Sequence, residues 1–251
     1  MTGRPLVVSE WIDRCPALLV AWHLGTEAGK AISDVLTGAV NPGGKLPMSF
    51  PRSVGQVPIY YNHESTGRPA RTGGSLAHKR PDVGLTGPPN NTDDYFKSKY
   101  LDLEMGGPQF SFGYGLSYTS FELESSADQT LSVTLDELGA GTRLSFTTVV
   151  RNTGTRDGDE VVQLCISDLV ASVTRPVRQL RGLHTSIRTG WRRTACITER
   201  RFDDLGFWTN DHRAGYVVEP GDFRVEIGNG LTSQYFSLTV TPSSPPEASS
   251  P

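Results

Sequence analysis

An aromatic segment near the middle of the chain, PQFSFGYGLSYTSF, places the strongest constraint on how this protein can fold. Residues 108–121 contain five aromatic rings in 14 residues, with Gly113 and Gly115 between them. Each ring can bury a large apolar area, and the two glycines allow backbone turns that a side chain would oppose. Strand, helix and polar-loop patterns precede this segment, whereas only strand patterns follow it. We predict that residues 108–121 form an aromatic seam between two domains; a single aromatic-rich strand within one domain is the alternative.

Charge and cysteine spacing exclude several classes of partner. A net charge of −3 and a pI near 6.0 provide no basic excess, so we predict no nucleic-acid partner and no membrane partner. No run of 18 apolar residues occurs, and the first residues lack the pattern of a secretory signal. Cys15, Cys165 and Cys196 are far apart and lack metal-ligand spacing, so we predict no metal site and no cofactor.

The first domain is predicted to be α/β. A short apolar run at 17–23 predicts a buried strand, and it leads directly into a helical pattern at 25–38. Thr26 is predicted to cap this helix, and Gly38 is predicted to end it in a left-handed conformation. A strand, a tight turn and a helix are half of a βαβ unit, which favours a parallel sheet. The apolar positions of the helix share one face: Ala28, Ala31, Ile32, Val35 and Leu36.

Between the helix and the seam, the sequence predicts mostly irregular structure. Turn-forming residues at 41–51 precede a short predicted strand at 57–61. Residues 70–94 are polar and rich in Gly and Pro, which indicates a long surface loop.

The chain after the seam has the pattern of an all-β domain. Short strand patterns are separated by turn signals at 152–158 and 219–222, and no helix is predicted among them. This organisation is typical of a sandwich of the immunoglobulin or fibronectin type III kind. The tail (residues 241–251) has low complexity and is predicted to be disordered. The predicted strands are 142–151, 159–166, 216–218, 223–227 and 234–240.

Long motifs in the chain resemble those of family-3 glycoside hydrolases, the β-glucosidase and β-xylosidase family. The similar segments are WHLGTEAGKAIS at 22–33, DVLTGAVNPGGKLPMSFP at 34–51 and the aromatic seam. Residues 148–181 and VEPGDF at 218–223 resemble the fibronectin III-like domain that ends many members. The resemblance covers residues 2–240. Departures from the family pattern are Leu24, Gln109 and Ser111.

This resemblance implies a fold class and domain boundaries. Family members have a TIM-like barrel, then an α/β sandwich domain, then a fibronectin III-like domain. Residues 1–107 are expected to be the C-terminal part of the α/β sandwich, a flavodoxin-like three-layer remnant, with Met1 inside that domain. Residues 122–240 are expected to form the all-β fibronectin III or immunoglobulin-like sandwich, after the seam.

The resemblance also implies that the catalytic groups lie outside this chain. Retaining glycoside hydrolysis uses two carboxylates about 5 Å apart. In the family, the nucleophilic Asp belongs to the barrel and the acid/base Glu to an earlier part of the α/β sandwich. We therefore assign no catalytic residue and interpret Glu27 as a favourable charge in the first helical turn. The carboxylates near the motifs are Glu27, Asp34, Glu64, Asp102 and Glu104.

A polar loop provides the candidate substrate contacts. His63, Glu64 and Arg68 lie in NHESTGRP, and loops commonly carry binding groups. Solvated loop residues are the alternative. His23 is interpreted as a core or interface residue, and packing is the favoured role of three aromatic residues: Trp22, Tyr60 and Tyr61.

Two function classes follow. The first is the C-terminal portion of a β-glucosidase-type enzyme that acts on a β-linked glucoside or related oligosaccharide only when joined to the N-terminal barrel region. The second is a non-catalytic carbohydrate-binding or adhesive module built from the same domains.

One basic patch (residues 184–201) lacks a clean strand pattern although its flanks match the family. A charge-protected edge strand and a basic binding surface are two interpretations. The segment has kept the length expected from the family but lost the expected residue pattern. Two compensating frame shifts would produce this result, and ordinary divergence is the alternative. A shifted frame would leave Trp191 or Ile197 exposed, or would bury Arg192 or Arg193 without a partner.

The seam leads to a prediction for limited proteolysis. Early cleavage is expected in the 70–94 loop or in the tail, because those segments are predicted to lack packed structure. Mass spectrometry of the fragments locates the early cleavage sites. Early cleavage within the seam would contradict its role as a junction between the domains. If Phe112 is fully buried, Phe112→Ala should cost about 3–5 kcal/mol. The seam side chains expected to be mostly buried are Phe110, Phe112, Tyr114, Tyr118 and Phe121.

Overall fold

The chain divides into two compact units, Met1–Tyr118 and Thr119–Pro251. Their boundary falls inside the aromatic seam, and each unit is treated separately below. In the part of the chain that is described, no helix is long and apolar enough to cross a membrane. The structure is a computed structural model that describes residues 1–66, 107–125, 130–188, 193–209 and 215–243.

The predicted helix of unit 1 is present as α1 (Ala28–Leu36). Gly38 follows it with a φ of 76°, which confirms the predicted left-handed end. The predicted cap is wrong, because the N-cap residue is Glu27 and its side chain makes no capping hydrogen bond. Lys30 and Asp34 form an i, i+4 ion pair along the exposed side. No residue of α1 is fully buried, and its apolar face ends at Leu36, which is 69% exposed.

The two strands predicted for unit 1 do not form. Residues 17–23 form no strand and pair with no other described segment, and Leu18 and Leu19 are exposed. A strand forms only where another strand accepts its hydrogen bonds, so the apolar run alone was insufficient. Residues 57–61 follow a 3₁₀ turn, Val54–Gln56, and include Pro58, which has no N–H for a ladder.

The first part of the seam folds against residues 46–50 of unit 1. Phe50 and Phe110 form an isolated antiparallel bridge, in which the Phe50 N–H donates to the Phe110 carbonyl at 2.8 Å. Leu46 N donates to Tyr114 O at 2.8 Å, and Gly113 N donates to Leu46 O at 2.8 Å. The Phe50 ring is 2% exposed and meets the Phe110 ring edge-on at 6.4 Å. Backbone pairing and aromatic packing therefore fix this part of the seam together.

Of the five seam aromatics, only Tyr118 is clearly more exposed than the sequence predicts. Phe110, Phe112, Tyr114 and Phe121 are half-buried. Tyr118 is 43% exposed, and its hydroxyl donates to the Val35 carbonyl at 2.9 Å. A tyrosine hydroxyl can form a hydrogen bond with the backbone while its ring stays in contact with water. The aromatic character of Tyr118 therefore did not predict its burial. Phe112 is not fully buried, so the full cost of its removal is not expected. The interdomain role of the seam stays a prediction.

Unit 2 is a β-sandwich with an additional hairpin and two short helices. Its first sheet has the order β1–β3–β6: β1 (Phe121–Ser125), β3 (Leu144–Asn152) and β6 (Arg193–Arg200). Its second sheet has the order β2–β10–β9–β4–β5: β2 (Thr130–Thr134), β10 (Ser233–Thr241), β9 (Gly221–Gly228), β4 (Gly158–Asp168) and β5 (Gln179–Arg188). The remaining elements are α2 (Leu135–Gly139), α3 (Phe202–Leu205), β7 (Phe207–Trp208) and β8 (Tyr216–Val217).

The core of unit 2 lies between the two sheets. Alternate residues of β3, β4, β9 and β10 point inward, so the predicted strand patterns are confirmed. Phe146 on β3 and Phe236 on β10 meet at 6.0 Å with their planes 63° apart. The inward side chains include Phe146, Val150, Leu164, Val225, Ile227 and Leu238, each 1% exposed or less.

A buried asparagine organises the turn after β3. Asn152 Oδ1 accepts hydrogen bonds from Thr119 Oγ1 at 2.7 Å and from Gly154 N at 3.0 Å, and Asn152 Nδ2 donates to Arg156 O at 2.7 Å. A side chain at Gly154 would collide with the Thr119 hydroxyl. The sequence NTG therefore turns tightly because the amide satisfies the backbone and the glycine leaves room.

Two sequence expectations for unit 2 are corrected or refined. The prediction of strands without helices is wrong, since α2 and α3 are present. Thr134 and Glu137 form a capping box at α2, a sequence signal that could have revealed it. The basic patch forms parts of β5 and β6, and each is the last strand of its sheet, as the edge-strand interpretation expects. Trp191 and Arg192, and the side chains of Arg193 and Ile197, lie outside the described residues.

Replacement of Phe146 should be among the most destabilising changes in unit 2. Its ring is 0% exposed, so Phe146→Ala is expected to lower the free energy of unfolding by about 3–5 kcal/mol. Urea unfolding of the full chain measures this change. Val170→Ala is the control, because Val170 is 80% exposed and should change stability by less than about 0.5 kcal/mol. Similar losses for both variants would contradict this account of the core.

The two cysteines with described side chains should differ in reactivity. Cys165 is buried in β4, and burial raises the pKa of its thiol to about 11. At pH 8 its thiolate share is then about one in a thousand, and it should grow as the pH rises. Iodoacetamide followed by peptide mass spectrometry should therefore modify half-buried Cys15 well before Cys165. Equal rates in the folded chain would refute the prediction, and labelling in denaturant provides the reference.

Candidate functional site

The predicted substrate loop is exposed. His63 and Glu64 both face solvent, and the His63 Nδ1 atom lies 3.0 Å from the Glu64 carbonyl oxygen. Arg68 lies outside the described residues. Nearby, the rings of Tyr61 and Phe112 stack at 4.2 Å. The role of His63, Glu64 and Arg68 in binding sugar stays a prediction.

The described carboxylates near the family motifs, Glu27, Asp34 and Glu64, are not arranged as a recognisable catalytic site. Glu27 is exposed at the N-cap of α1 without a side-chain hydrogen bond, so its position there is not explained by capping. Asp34 is paired with Lys30. Asp102 and Glu104 lie outside the described residues. Among the residues the structure describes, no group of three His, Cys, Asp or Glu residues could hold a metal ion.

The turn that precedes α1 contains an unusual backbone conformation. Trp22 has a φ of 46°, in the left-handed region that non-glycine residues rarely adopt. Its half-buried ring packs against Phe50 at 6.1 Å, as the packing interpretation predicts. His23 is exposed and lies against Gly3, so the expectation of a core position is wrong. Tyr60 is 63% exposed, so it is not packed into a core formed by the described residues.

Unit 2 contains a cleft of about 350 Å³ between the start of β5 and the β7–β8 hairpin. We call it the arginine cleft. Thr174 and Arg175 lie in the connection from β4 to β5, Gln179 and Arg181 on β5, and Trp208 and Tyr216 on the hairpin. Among the described lining residues, the polar side chains include two guanidinium groups, an amide, a hydroxyl and a phenol, and none is a carboxylate. The lining residues used below are Thr174, Arg175, Gln179, Arg181, Trp208 and Tyr216.

A buried ion pair fixes the floor of the arginine cleft. Arg175 Nε lies 3.9 Å from Asp168 Oδ2, and the two side chains are 9% and 5% exposed. Arg175 Nη2 donates to the Leu205 carbonyl at 3.2 Å, and the guanidinium carbon lies 4.6 Å from the centre of the Phe207 ring. Burial raises the pKa of Asp168, and the charge of Arg175 opposes that rise. The arginine thereby connects β4, α3 and β7.

Sequence analysis did not single out the residues of the arginine cleft. Arg175 and Arg181 belong to RPVRQLR, which was used only for its family resemblance, and Trp208 lies 33 positions after Arg175. Trp208 ends the segment Asp204–Trp208, a flank of the basic patch that also indicated only the family resemblance. The convergence of these groups depends on β-strand pairing that short-range patterns do not encode.

Two domain families account for most of the chain. Residues 1–118 match the glycosyl hydrolase family 3 C-terminal domain, and residues 160–230 match the fibronectin type III-like domain. These matches agree with the predicted fold class, an α/β domain followed by a fibronectin III-like sandwich.

Relatives and solved structures lead to the same family. The chain is 41% identical over 230 residues to a periplasmic beta-glucosidase of Salmonella typhimurium and 34% identical over 229 residues to a beta-xylosidase of Formosa agariphila. Each alignment covers 91% of this chain, but only 26% and 27% of the respective relative. The chain thus spans about a quarter of the length of these relatives.

Crystal structures of beta-glucosidases resemble this chain over nearly its whole length. The enzyme from Listeria innocua in complex with gluconolactone has a TM-score of 0.78 and 34% identity, over 95% of this chain and 30% of its own. The enzyme from Erythrobacter marinus has a TM-score of 0.76 and 32% identity, over 96% and 27%. The chain therefore contains a glycosyl hydrolase family 3 C-terminal domain followed by a fibronectin type III-like domain.

Proposed function

We propose that this chain is the C-terminal portion of a retaining β-glucosidase-type enzyme and that it does not hydrolyse glycosides alone. The complete enzyme acts on a β-linked glucoside or a related oligosaccharide. Its nucleophilic Asp and acid/base Glu lie in the barrel and in the preceding part of the α/β sandwich. In that enzyme, His63, Glu64 and Arg68 contact the sugar from the edge of the site.

The main support for this proposal is that the relatives match nearly all of this chain, whereas this chain matches only a small part of each relative. Two relatives named as a beta-glucosidase and a beta-xylosidase match over 91% of this chain, yet the chain spans about a quarter of each. Glu27 is exposed and Asp34 is paired with Lys30, which supports a catalytic pair elsewhere. A group that protonates a leaving oxygen normally sits in an enclosed environment that raises its pKa.

Exposed apolar side chains of unit 1 support a role in a larger assembly. Leu18 and Leu19 in the unpaired run are 43% and 41% exposed, and Leu36 on α1 is 69% exposed. Exposed apolar side chains are common where another domain or chain packs. We propose that the N-terminal barrel region and the remainder of the α/β sandwich cover these side chains in the complete enzyme.

The first test is hydrolysis of 4-nitrophenyl β-D-glucoside by the purified full chain. We expect no release of nitrophenol above a blank, because loss of a catalytic carboxylate pair removes both covalent and acid/base catalysis. Glu27→Gln is the matched variant. Turnover that survives this change would refute the claim that the essential groups lie elsewhere, and turnover abolished by it would assign catalysis to Glu27.

A chimera tests the positive half of the proposal. The Salmonella typhimurium enzyme truncated before its matching C-terminal quarter should be inactive, and appending this chain in place of that quarter should restore hydrolysis. The unmodified Salmonella enzyme gives the reference activity. A soluble, folded chimera without activity would contradict the proposed function.

A further inference from the structure

We propose that the arginine cleft of the fibronectin III-like domain binds an acidic saccharide, with the carboxylate of a uronate residue at the arginines and its ring on Trp208. This site belongs to unit 2 and does not depend on the proposed hydrolytic function. Its chemistry follows from three observations: one buried guanidinium nitrogen without a hydrogen-bond partner on each arginine, an exposed aromatic plane, and neutral polar groups in the same cleft.

The first observation concerns the arginines. The Arg175 side chain is 9% exposed, and its Nη1 atom is buried without a hydrogen-bond partner in the described structure. Arg181 Nε is likewise buried and unpartnered, while Arg181 Nη2 donates to Gln179 Oε1 at 2.8 Å and is thereby oriented. Leaving a charged donor buried and unsatisfied is costly. An anion with at least two acceptor atoms would satisfy both groups.

The surrounding charges favour an anion in this cleft. Asp168 is the ion-pair partner recorded for Arg175, and it approaches the Nε side at 3.9 Å. Within the described ranges, Arg181 forms no ion pair, and none of the described residues that line the cleft is acidic. Burial lowers the pKa of Arg175, the charges of Asp168 and Glu219 oppose that change, and the charge of Arg181 adds to it. Both arginines line the same cleft, and an anion bound between two guanidinium groups relieves their mutual repulsion.

The second observation concerns Trp208. Its indole is 75% exposed at one side of the cleft, although β7 pairing holds its backbone opposite Tyr216. The two rings meet edge-on at 5.6 Å with their planes 72° apart. Tyr216 is held in turn, since its hydroxyl donates to the Asp203 carbonyl at 2.5 Å. A fixed, exposed aromatic plane is suited to stacking against the apolar face of a sugar ring.

The third observation separates a saccharide from a simple anion. Gln179 and Thr174 line the space between the arginines and Trp208, and they offer an amide and a hydroxyl to sugar hydroxyl groups. The cleft volume of about 350 Å³ is in the range of small-ligand sites. A phosphate or sulfate ion would use the guanidinium groups but not the indole. A uronate residue uses both, because it joins a carboxylate to a ring with apolar CH groups.

Isothermal titration of the full chain with trigalacturonate tests the proposal. We expect saturable binding that is at least about tenfold tighter than binding of neutral cellotriose and that weakens as salt is raised. Trp208→Ala and Arg181→Gln should each weaken binding about tenfold or more, which corresponds to about 1.4 kcal/mol. Arg175 is left unchanged, because its removal would strand the buried carboxylate of Asp168 and could unfold the domain.

A matched pair of control variants exists in the same domain. Arg224 on β9 lies over the ring of Tyr235 on β10, with the guanidinium carbon 5.8 Å from the ring centre, and Tyr235 is 41% exposed. Neither residue lines the arginine cleft. Tyr235→Ala and Arg224→Gln should therefore leave trigalacturonate affinity within about twofold, provided that circular dichroism shows each variant folded.

Four results would overturn the proposal. They are the absence of saturable trigalacturonate binding, equal affinity for cellotriose, equal losses in the control variants, and binding that Trp208→Ala leaves unchanged. If the Trp208→Ala variant alone retains full affinity and sulfate competes equally well, the cleft binds simple anions and not saccharides. A folded Arg181→Gln variant with native affinity would also exclude the arginines as the carboxylate site.

Discussion

Burial of alternate apolar side chains between two sheets is the constraint on which unit 2 depends. Phe146, Val225 and Leu238 are completely buried in that layer. The polar groups that enter it are each bound: Thr148 Oγ1 donates to Gln234 Oε1 at 2.8 Å, and Asn229 Nδ2 donates to Glu160 Oε2 at 3.1 Å. A buried polar group without a partner costs free energy. These hydrogen bonds therefore allow the four polar side chains to enter the sandwich.

The same constraint explains which features the sequence could predict. Residues 142–151 alternate with period two, and the partner strands that cover them lie in the same unit, so pattern and structure agree. The apolar run at 17–23 carries an equally strong signal, but no described strand pairs with it, and Leu18 and Leu19 remain exposed. An apolar pattern shows that a surface needs covering; it does not specify what covers it. The family resemblance was recognisable because it rests on long contiguous motifs, whereas Trp208 and Arg175 converge only in the folded domain.

The nitrogen atoms of Arg175 differ in what they contact. Its Nε and Nη2 atoms serve the fold, since they reach Asp168 and the Leu205 carbonyl and so tie β4 to α3. Its Nη1 atom is buried and has no hydrogen-bond partner in the described structure. A buried ion pair adds little net stability when its desolvation cost is counted, so the arrangement is not well explained by stability alone. A guanidinium that is anchored through Nε and Nη2, and whose buried Nη1 atom has no partner, is preorganised for an anion that reaches Nη1, because little side-chain freedom is lost on binding.

Family membership and catalytic competence rest on different physical requirements. Motifs such as those at 22–51 are matched because they specify turns, a helix start and an aromatic bridge, all of which stabilise the α/β domain. Catalysis instead needs two carboxylates at a set separation, a requirement that no folding motif in this chain enforces. A domain can therefore keep its family fold while the chemistry resides elsewhere, and function has to be argued from sites. In the proposed saccharide site, by contrast, the recognition groups come from separate segments of the sequence that only the folded domain brings together.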